Sequence, residues 1–573
     1  MIRLSQRTQQ IIEVSLVTAS TFVLLFTLRA AEQTSDSLMW ATAAKTGQGL
    51  FHPHSLIYNA VVHLFLRALC KTGLSCDAIF AAQLHNIMWA IVASLSVYFI
   101  VKHILSSSLV GVLAALSLDV MLGFWVFSTE AEVYVPATAC LAGLVAVLIA
   151  RPKGNLSVAR VAGITLFLAT SVLYQQTNVL FCIPLGWYLF ATQGRQRLNT
   201  TIAVLSLAGI IVLSAYVLAF LSVTTGRTIG EFITYCTAYL HVRFPNTATF
   251  AHFGVVGVGR LLHSQLWDIV GPSAFGSMPV FSYAELAIFA LLIAALLLWN
   301  IWQAAKDPAH SEIRILMLIW LVPYYVFFLW WEPQERDSFI ITLIPILVLT
   351  FITLKDVCHR VVHSDHGRKI AIAVIAVLAV VIVSAVNFQA VLPTHRSKGP
   401  SYTEASDLAR LAPQGCLAIS RCALPLTYYF GWEGGRNVDV EPVLYRFYRD
   451  ETFGELPNLE DNCAIIAWSW LTPELKIWSR NGYICPSGWL DFAEWLFGFE
   501  YDSQHSLVSC RQFDVVGGDQ STYIVISPTR TEMNGLAQLF QILDHKISQS
   551  SGKQVNDLET WFSTAYSGDL SLE

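Results

Sequence analysis

The chain has 573 residues, of which 55% are hydrophobic, 12% aromatic and only 13% charged, with a mean hydropathy of +0.54. An ordinary soluble domain carries about 25% charged residues, so the composition excludes a soluble globular protein and points to a polytopic protein of the lipid bilayer. The net charge of -5 comes without an acidic or basic run, which speaks against nucleic acid as a partner.

In chain order, apolar runs of roughly 17–25 residues, the length needed to cross hydrocarbon, fall at 11–30, 78–101, 108–127, 134–150, 158–175, 178–193, 200–223, 281–302, 313–331, 337–354 and 370–391. These predict a mainly α bundle of about eleven transmembrane helices. Arg3, Arg7, Lys102, Arg151, Lys153, Arg160, Arg195, Arg197, Lys306, Arg314, Lys355, Arg360, Arg368 and Lys369 fall in connectors of one side, which the positive-inside rule makes cytoplasmic. The opposite side then receives 31–77, 128–133, 224–280, 332–336 and everything after 392. The first run has no small-x-small cleavage site and reads as an uncleaved signal anchor.

The first outer segment begins "DSLMWATAAKTGQGLFHPHSLIYN" (36–59), which has more polar and turn-forming residues than a simple connector needs. From Leu56 to Leu69 apolar residues recur at helical spacing, with Asn59, His63 and Arg67 opposite them. This predicts a short amphipathic helix lying in the interface, too short to span. The second outer segment, "FWVFSTEAEVYVPA", sets Glu130 and Glu132 two apart, facing the same way if the backbone is extended. A charge at bilayer depth costs roughly 2.5–3.5 kcal/mol, so these acids and Asp36 belong at the interface or in a hydrated cavity, where the three are expected to meet.

After 392 the texture changes. "GCLAIS", "CAIIAWSW" and "STYIVIS" read as buried strands, and "SYTEASDLARLA", "TPELKIWSRNG" and "MNGLAQLFQILDHKI" as helices. The expected organisation is therefore a membrane domain at 1–391 and an extracytoplasmic α/β domain at 392–573. Cys70 and Cys76, and Cys416, Cys422, Cys463, Cys485 and Cys510 in the tail, are available for disulfides in an oxidising space. The odd number in the tail leaves their pairing open, and none has a zinc spacing.

The first-loop Asp36, the following "G..HP" segment ending near "LIY", and "EAEVY" in the second outer loop together resemble the GT-C superfamily of membrane glycosyltransferases, in particular relatives of protein O-mannosyltransferases. "YQQTNVLFCIP" (174–184) and "WWEPQERDSF" (330–339) stand where that group has polar breaks between helices. The resemblance covers the membrane domain and not the tail. It implies a multi-pass protein of a bacterial inner membrane that transfers a sugar from a polyprenyl-phosphate donor to a glycan, lipid or protein acceptor at the extracytoplasmic face. It gives Asp36 the role of general base in an inverting reaction, with Glu130 and Glu132 beside it.

Cations must hold the departing phosphate. Arg336 is the first candidate, followed by Arg243 and Arg260, although Glu332, Glu335 and Asp337 offer Arg336 local partners. His52, His54, Tyr58, Tyr134, Gln175 and Glu332 complete the expected substrate-binding set. His52 and His54 flank a proline and read as loop-orienting residues before metal ligands; a divalent ion at Asp36, Glu130 or Glu132 stays open. Gln175, Gln176 and Asn178 suit hydrogen bonds between helices, and Asp119 is either partnered in the bundle or part of the cavity. The rival readings are a transporter or lipid flippase, which would be built from internal repeats that the sequence lacks, and a non-catalytic assembly subunit with the same fold.

Overall fold

The structure, a computed structural model, describes residues 5–411 apart from 151–155, 193–196, 227, 239–252, 272–278 and 308–310, and beyond them 417–420, 423–431, 437–439, 464–467, 500–501, 507–517 and 522–532. Contacts divide the chain into Met1–Ser397 and Lys398–Glu573.

The first unit is helical. Its elements are α1 (Gln6–Thr27), α2 (Ser35–Thr46), α3 (Tyr58–Thr72), α4 (Ala78–Leu105), α5 (Ser108–Asp119), α6 (Leu122–Thr129), α7 (Tyr134–Ile149), α8 (Val158–Tyr174), a 3-10 turn at Gln176–Phe181, α9 (Cys182–Thr192), α10 (Arg197–Val223), α11 (Ile229–Ala238), α12 (Val255–Val270), α13 (Pro279–Lys306), α14 (Glu312–Trp331), α15 (Ile340–Val361) and α16 (Asp365–Arg396). Among the described residues seven helices are long and apolar enough to cross a membrane, or eight if one bent pair counts as a span. All eleven apolar runs are helical, but α7, α8 and α9, of 16, 17 and 11 residues, are shorter than a full crossing.

The shortfall has local causes. The run at 108–127 is broken by 66° between α5 and α6. The carbonyl freed there, on Val120, accepts from Asn387 Nδ2 on α16 at 2.7 Å, and the same amide reaches Ile269 O at 2.9 Å. Non-helical backbone at membrane depth needs such partners. Asp119, at the end of α5, is buried and accepts from Thr21 on α1 at 2.6 Å and from Ser94 on α4. It is therefore partnered inside the bundle. The break before α9 is held in a similar way: Asn178 Nδ2 donates to Ser171 Oγ at 2.6 Å, and its Oδ1 accepts from Tyr324 on α14 at 3.2 Å.

Helices α4 and α7 form the centre. Small residues let α7 and α8 approach: Ser171 donates to Ala137 O at 2.8 Å, and a Cβ on Gly143 would sit 2.9 Å from the Phe167 ring.

The segment expected as a loop at 36–57 contains α2, capped by the Thr34 hydroxyl, which accepts from Ser37 N at 3.1 Å. The amphipathic helix forms as α3, but its inward face is Tyr58, Asn59, Val62, Leu66 and Leu69. On the apolar face Leu64 is 67% exposed, and on the polar face Asn59 is 1% exposed. Asn59 turns inward because its amide donates to Gly49 O at 3.0 Å. Cys70, in the last turn of this helix, and Cys76, just after it, form a disulfide.

The second unit contains α17 (Gly399–Leu411), α18 (Ala423–Phe430) and six strands: β1 (Leu417–Ser420), β2 (Asn437–Asp439), β3 (Ala464–Ala467), β4 (Glu500–Tyr501), β5 (Leu507–Gly517) and β6 (Thr522–Glu532). They form one sheet in the order β2-β1-β3-β6-β5-β4. β1 is parallel to β2 and β3, and the remaining pairs are antiparallel. The expected helices at 472–482 and 533–547, and the side chains of the five tail cysteines, lie outside the described residues.

Candidate functional site

The site is assembled from three short non-helical junctions at one end of the first unit: the approach to α2, the turn between α6 and α7, and the turn between α14 and α15. Asp36 stands in the first turn of α2, where an acid complements the positive end of the helix dipole. Its neighbour Ser37 is buried and donates to Glu130 Oε2 and to Glu132 Oε1, each at 3.3 Å; Thr34 Oγ1 reaches Glu132 Oε1 at 3.1 Å. Glu130 is extended, at φ -108 and ψ 172, and both glutamates meet the start of α2. The third expected carboxylate is close to them, since the charge of Asp36 acts on Glu132.

The turn that carries the glutamates is clamped from α4. Asn86 Nδ2 donates to Glu130 O at 2.9 Å and to Glu132 O at 2.7 Å, while its Oδ1 accepts from Tyr58 at 3.4 Å. Trp89 Nε1 lies 3.1 Å from His85 Nε2, which makes that nitrogen the acceptor. The proton then sits on Nδ1, 3.1 Å from Asn86 Oδ1. Behind this amide, Trp40, His52, Tyr58, His85 and Tyr174 form a run of ring contacts 5.2–6.4 Å apart.

The third junction adds more acids. Tyr134 hydrogen-bonds Asp337, which ties the start of α7 to the start of α15. Ser264 on α12 donates to Pro333 O at 3.1 Å. Asp268, also on α12, is fully buried, and neither of its carboxylate oxygens has a hydrogen-bond partner among the described residues. Arg336 is exposed, with its guanidinium 4.8 Å over Trp267, and among the described residues it is in no ion pair. The expected local pairing with Glu332, Glu335 or Asp337 therefore does not occur; Glu332 instead accepts from Gln334 at 2.9 Å.

Burial decides the protonation of these groups. It pushes the Glu130 carboxyl up to about 8, against the pull of the Ser37 and Thr34 hydroxyls. Glu132 is raised further, by burial and then by the charges of Asp36, Asp337 and Glu130. Asp268 is also raised, by burial and by Asp337, with Arg336 opposing. Burial without a paired cation favours the protonated form of a carboxyl, and that is the direction for Glu130, Glu132 and Asp268. Asp36, half-buried, is the carboxyl of the expected catalytic three that opens toward solvent.

The remaining expected residues mainly support this frame. His54 and Gln175 meet side chain to side chain at 3.0 Å, and Gln176 N donates to His54 O at 3.0 Å. Tyr235 donates to Phe51 O at 3.0 Å and Tyr216 to Pro53 O at 2.6 Å, so each peptide around the His-Pro-His is held. Gly47 and Gly49, at φ 76 and 66, supply the left-handed turns that lead into it. Tyr58 is fully buried and acts on Asn86. Arg243 lies outside the described residues, and Arg260 is exposed on α12. Among the described residues no three His, Cys, Asp or Glu side chains are placed to hold a metal ion.

Sequence reasoning missed Asn86, Ser37 and Asp268. Thr34 ahead of "SDSLMWATAA" is a helix-start signal that would have placed Ser37 beside Asp36. No local signal marks Asn86 or Asp268. It also missed Arg29, half-buried just after α1, with its guanidinium 4.1 Å over Phe26 and 5.1 Å over Phe80, and in no ion pair among the described residues. An apolar cavity of about 770 Å³ opens along α14, lined by Leu180, Ile183, Leu297, Val322, Phe327 and Trp330. Its upper wall, Trp330, is six residues from Arg336.

No family model and no curated protein matches this sequence. Solved structures do match in fold. The chain is similar to ArnT from Cupriavidus metallidurans bound to undecaprenyl phosphate, with a TM-score of 0.53 at 12% identity over 91% of this chain and 98% of that one. It is also similar to the oligosaccharyltransferase of Archaeoglobus fulgidus in complex with zinc and sulfate, with a TM-score of 0.50 at 12% identity over 86% of this chain and 72% of that one. At 12% identity these likenesses show a shared fold.

Proposed function

We propose that this chain is an integral-membrane glycosyltransferase that moves a sugar from a polyprenyl-phosphate donor to an acceptor hydroxyl, with Asp36 as general base. The observation that carries the reading is the meeting of Ser37, next to Asp36, with both Glu130 and Glu132, in a fold shared over most of its length with a protein bound to undecaprenyl phosphate.

In this reading the acceptor oxygen forms a bond to the anomeric carbon as the bond from that carbon to the phosphate oxygen breaks. The acceptor proton passes to the Asp36 carboxylate, polyprenyl phosphate leaves, and the configuration inverts. Burial pushes the Glu130 and Glu132 carboxyls toward the protonated form, which disfavours them as bases, so the role is assigned to the half-exposed Asp36. As carboxylic acids the two glutamates can donate hydrogen bonds toward the sugar or the acceptor. Arg336 meets the departing phosphate: it is charged, exposed and spared a carboxylate partner, and a guanidinium offers phosphate a two-pronged contact. The isoprenoid tail lies along the apolar cavity below Trp330.

The test is turnover by protein in lipid nanodiscs given labelled polyprenyl-phosphate sugars and an acceptor extract. Asp36→Asn is expected to lower the rate by roughly 10²–10⁴, the range for a lost general base. Asp365→Asn, an exposed residue at the opposite end, is expected to leave it unchanged. Wild-type turnover in Asp36→Asn would remove the base assignment, and absence of transfer from every polyprenyl-phosphate sugar would remove the donor class.

A further inference from the structure

At the far ends of α13 and α15 from the acid cluster, a second arrangement of charges has no part in the proposed reaction. α15 runs 22 residues from Ile340 to Val361, so Arg360 lies about 30 Å along the helix from Ile340, the residue that follows the Asp337 turn, at 1.5 Å per residue, at the opposite membrane boundary. Its guanidinium rests 4.5 Å over the Trp299 ring and 5.4 Å from that of Trp302, both on α13. Lys306 Nζ, at the end of α13, lies 5.4 Å from the same Trp302 ring. The two indoles hold two like charges near each other, which an anion would stabilise.

The nearby acids do not supply it. Asp356 is taken by Arg314 through two contacts, 2.8 and 2.9 Å, and accepts from Trp299 Nε1 at 3.2 Å. Asp307 follows Lys306 in sequence, yet among the described residues neither Lys306 nor Arg360 is in an ion pair. Immediately below the cations the same two helices expose aliphatic side chains: Leu298 at 66%, Ile301 at 53% and Val357 at 46%, beside Trp302 at 47%. A free anion would have no use for this surface, whereas acyl chains would cover it. We propose that the ends of α13 and α15 form a binding site for one anionic phospholipid, with its phosphate between Arg360 and Lys306 and its chains over Leu298, Ile301 and Val357. A guanidinium held against two indoles and in no ion pair among the described residues keeps N–H donors for a phosphate diester.

The experiment measures the unfolding midpoint of the detergent-solubilised full chain with added phosphatidylglycerol, phosphatidylcholine or inorganic phosphate. Phosphatidylglycerol is expected to raise the midpoint of the wild type, and the other two to leave it in place. Lys306→Gln/Arg360→Gln is expected to lose most of that shift, while Arg368→Gln, another basic residue of the same side, keeps it. The readout is the lipid-induced shift rather than the absolute midpoint, so weakened packing in a variant does not decide it. The single variants Arg360→Gln and Trp302→Leu are run alongside and are each expected to reduce the shift, so a double variant that fails to fold leaves the outcome decided. An equal shift with phosphatidylcholine, an equal shift with inorganic phosphate alone, or a full shift retained in the variants would each overturn the proposal.

Discussion

At one end of the bundle two acids are each paired with a cation: Lys102 meets Glu13 at 2.7 Å and Arg314 meets Asp356 at 2.8 Å. At the other end Glu130, Glu132 and Asp268 are buried, and with Asp337 beside them they are in no ion pair among the described residues. Both ends take carboxyl groups out of water, which is costly for a charge. The first end neutralises its acids with cations and so fixes helices to one another. The second lets burial protonate its acids and keeps its cations, Arg29 and Arg336, on aromatic rings. Both ends keep some cations on aromatic rings, Arg360 and Lys306 at the first, so the contrast between the anchoring end and the working end lies in the acids, paired at one and unpaired among the described residues at the other.

That contrast can be broken most severely at Asn86, whose amide holds two carbonyls of the acidic turn. Asn86→Leu leaves Glu130 O and Glu132 O without their donor and is expected to cost about 2–4 kcal/mol, at roughly 1–2 per carbonyl, read as a lowered unfolding midpoint together with lost turnover. Next comes Gly123→Ala. A Cβ there would run into the Asp268 carboxylate, and forcing α6 and α12 apart is expected to cost about 1–3 kcal/mol, while the smaller change Asp268→Ser in the same background restores part of it.

A finer probe is pH. The folded value of Glu130, about 8, lies above its ordinary 4.5, so its contribution to stability is complete below about pH 4.5 and is lost as pH rises through 8. The unfolding midpoint should fall across this window. Glu130→Gln should flatten the decline by up to about 1.4 kcal/mol per pH unit, the slope of one proton, and an unchanged slope would mean that Glu130 is ionised in the folded chain. The smallest effect is expected at the anchoring end: Lys102→Met should cost at most about 1 kcal/mol, as for partly exposed pairs, with turnover retained.

Part of this was legible in the residues. Apolar runs located the long helices of the bundle because the hydrocarbon core imposes length and composition on each segment separately, whereas α2, α11 and α12 lie in segments read as outer connectors. Asp36, Glu130 and Glu132 stood out because charge is scarce in such a chain, and the His-Pro-His with its two glycines announced a shaped turn. The break at 120–121 was not legible: it depends on Asn387, 267 residues away in sequence, reaching Val120 O. The packing of α3 was not legible for a similar reason, since Asn59 of the polar face is buried by its bond to the Gly49 carbonyl.

The amino-acid sequence by itself determined that this chain lives in a membrane as a helical bundle, and which few ionisable residues are available for chemistry at its surface. Hydrophobic length and charge scarcity act residue by residue, so no neighbour is needed to read them. Only the tertiary structure decided which acids carry a proton and which cations stay unpaired. Those properties are set by burial and by distances of about 3 Å between side chains from helices far apart in the chain, and no local pattern encodes them.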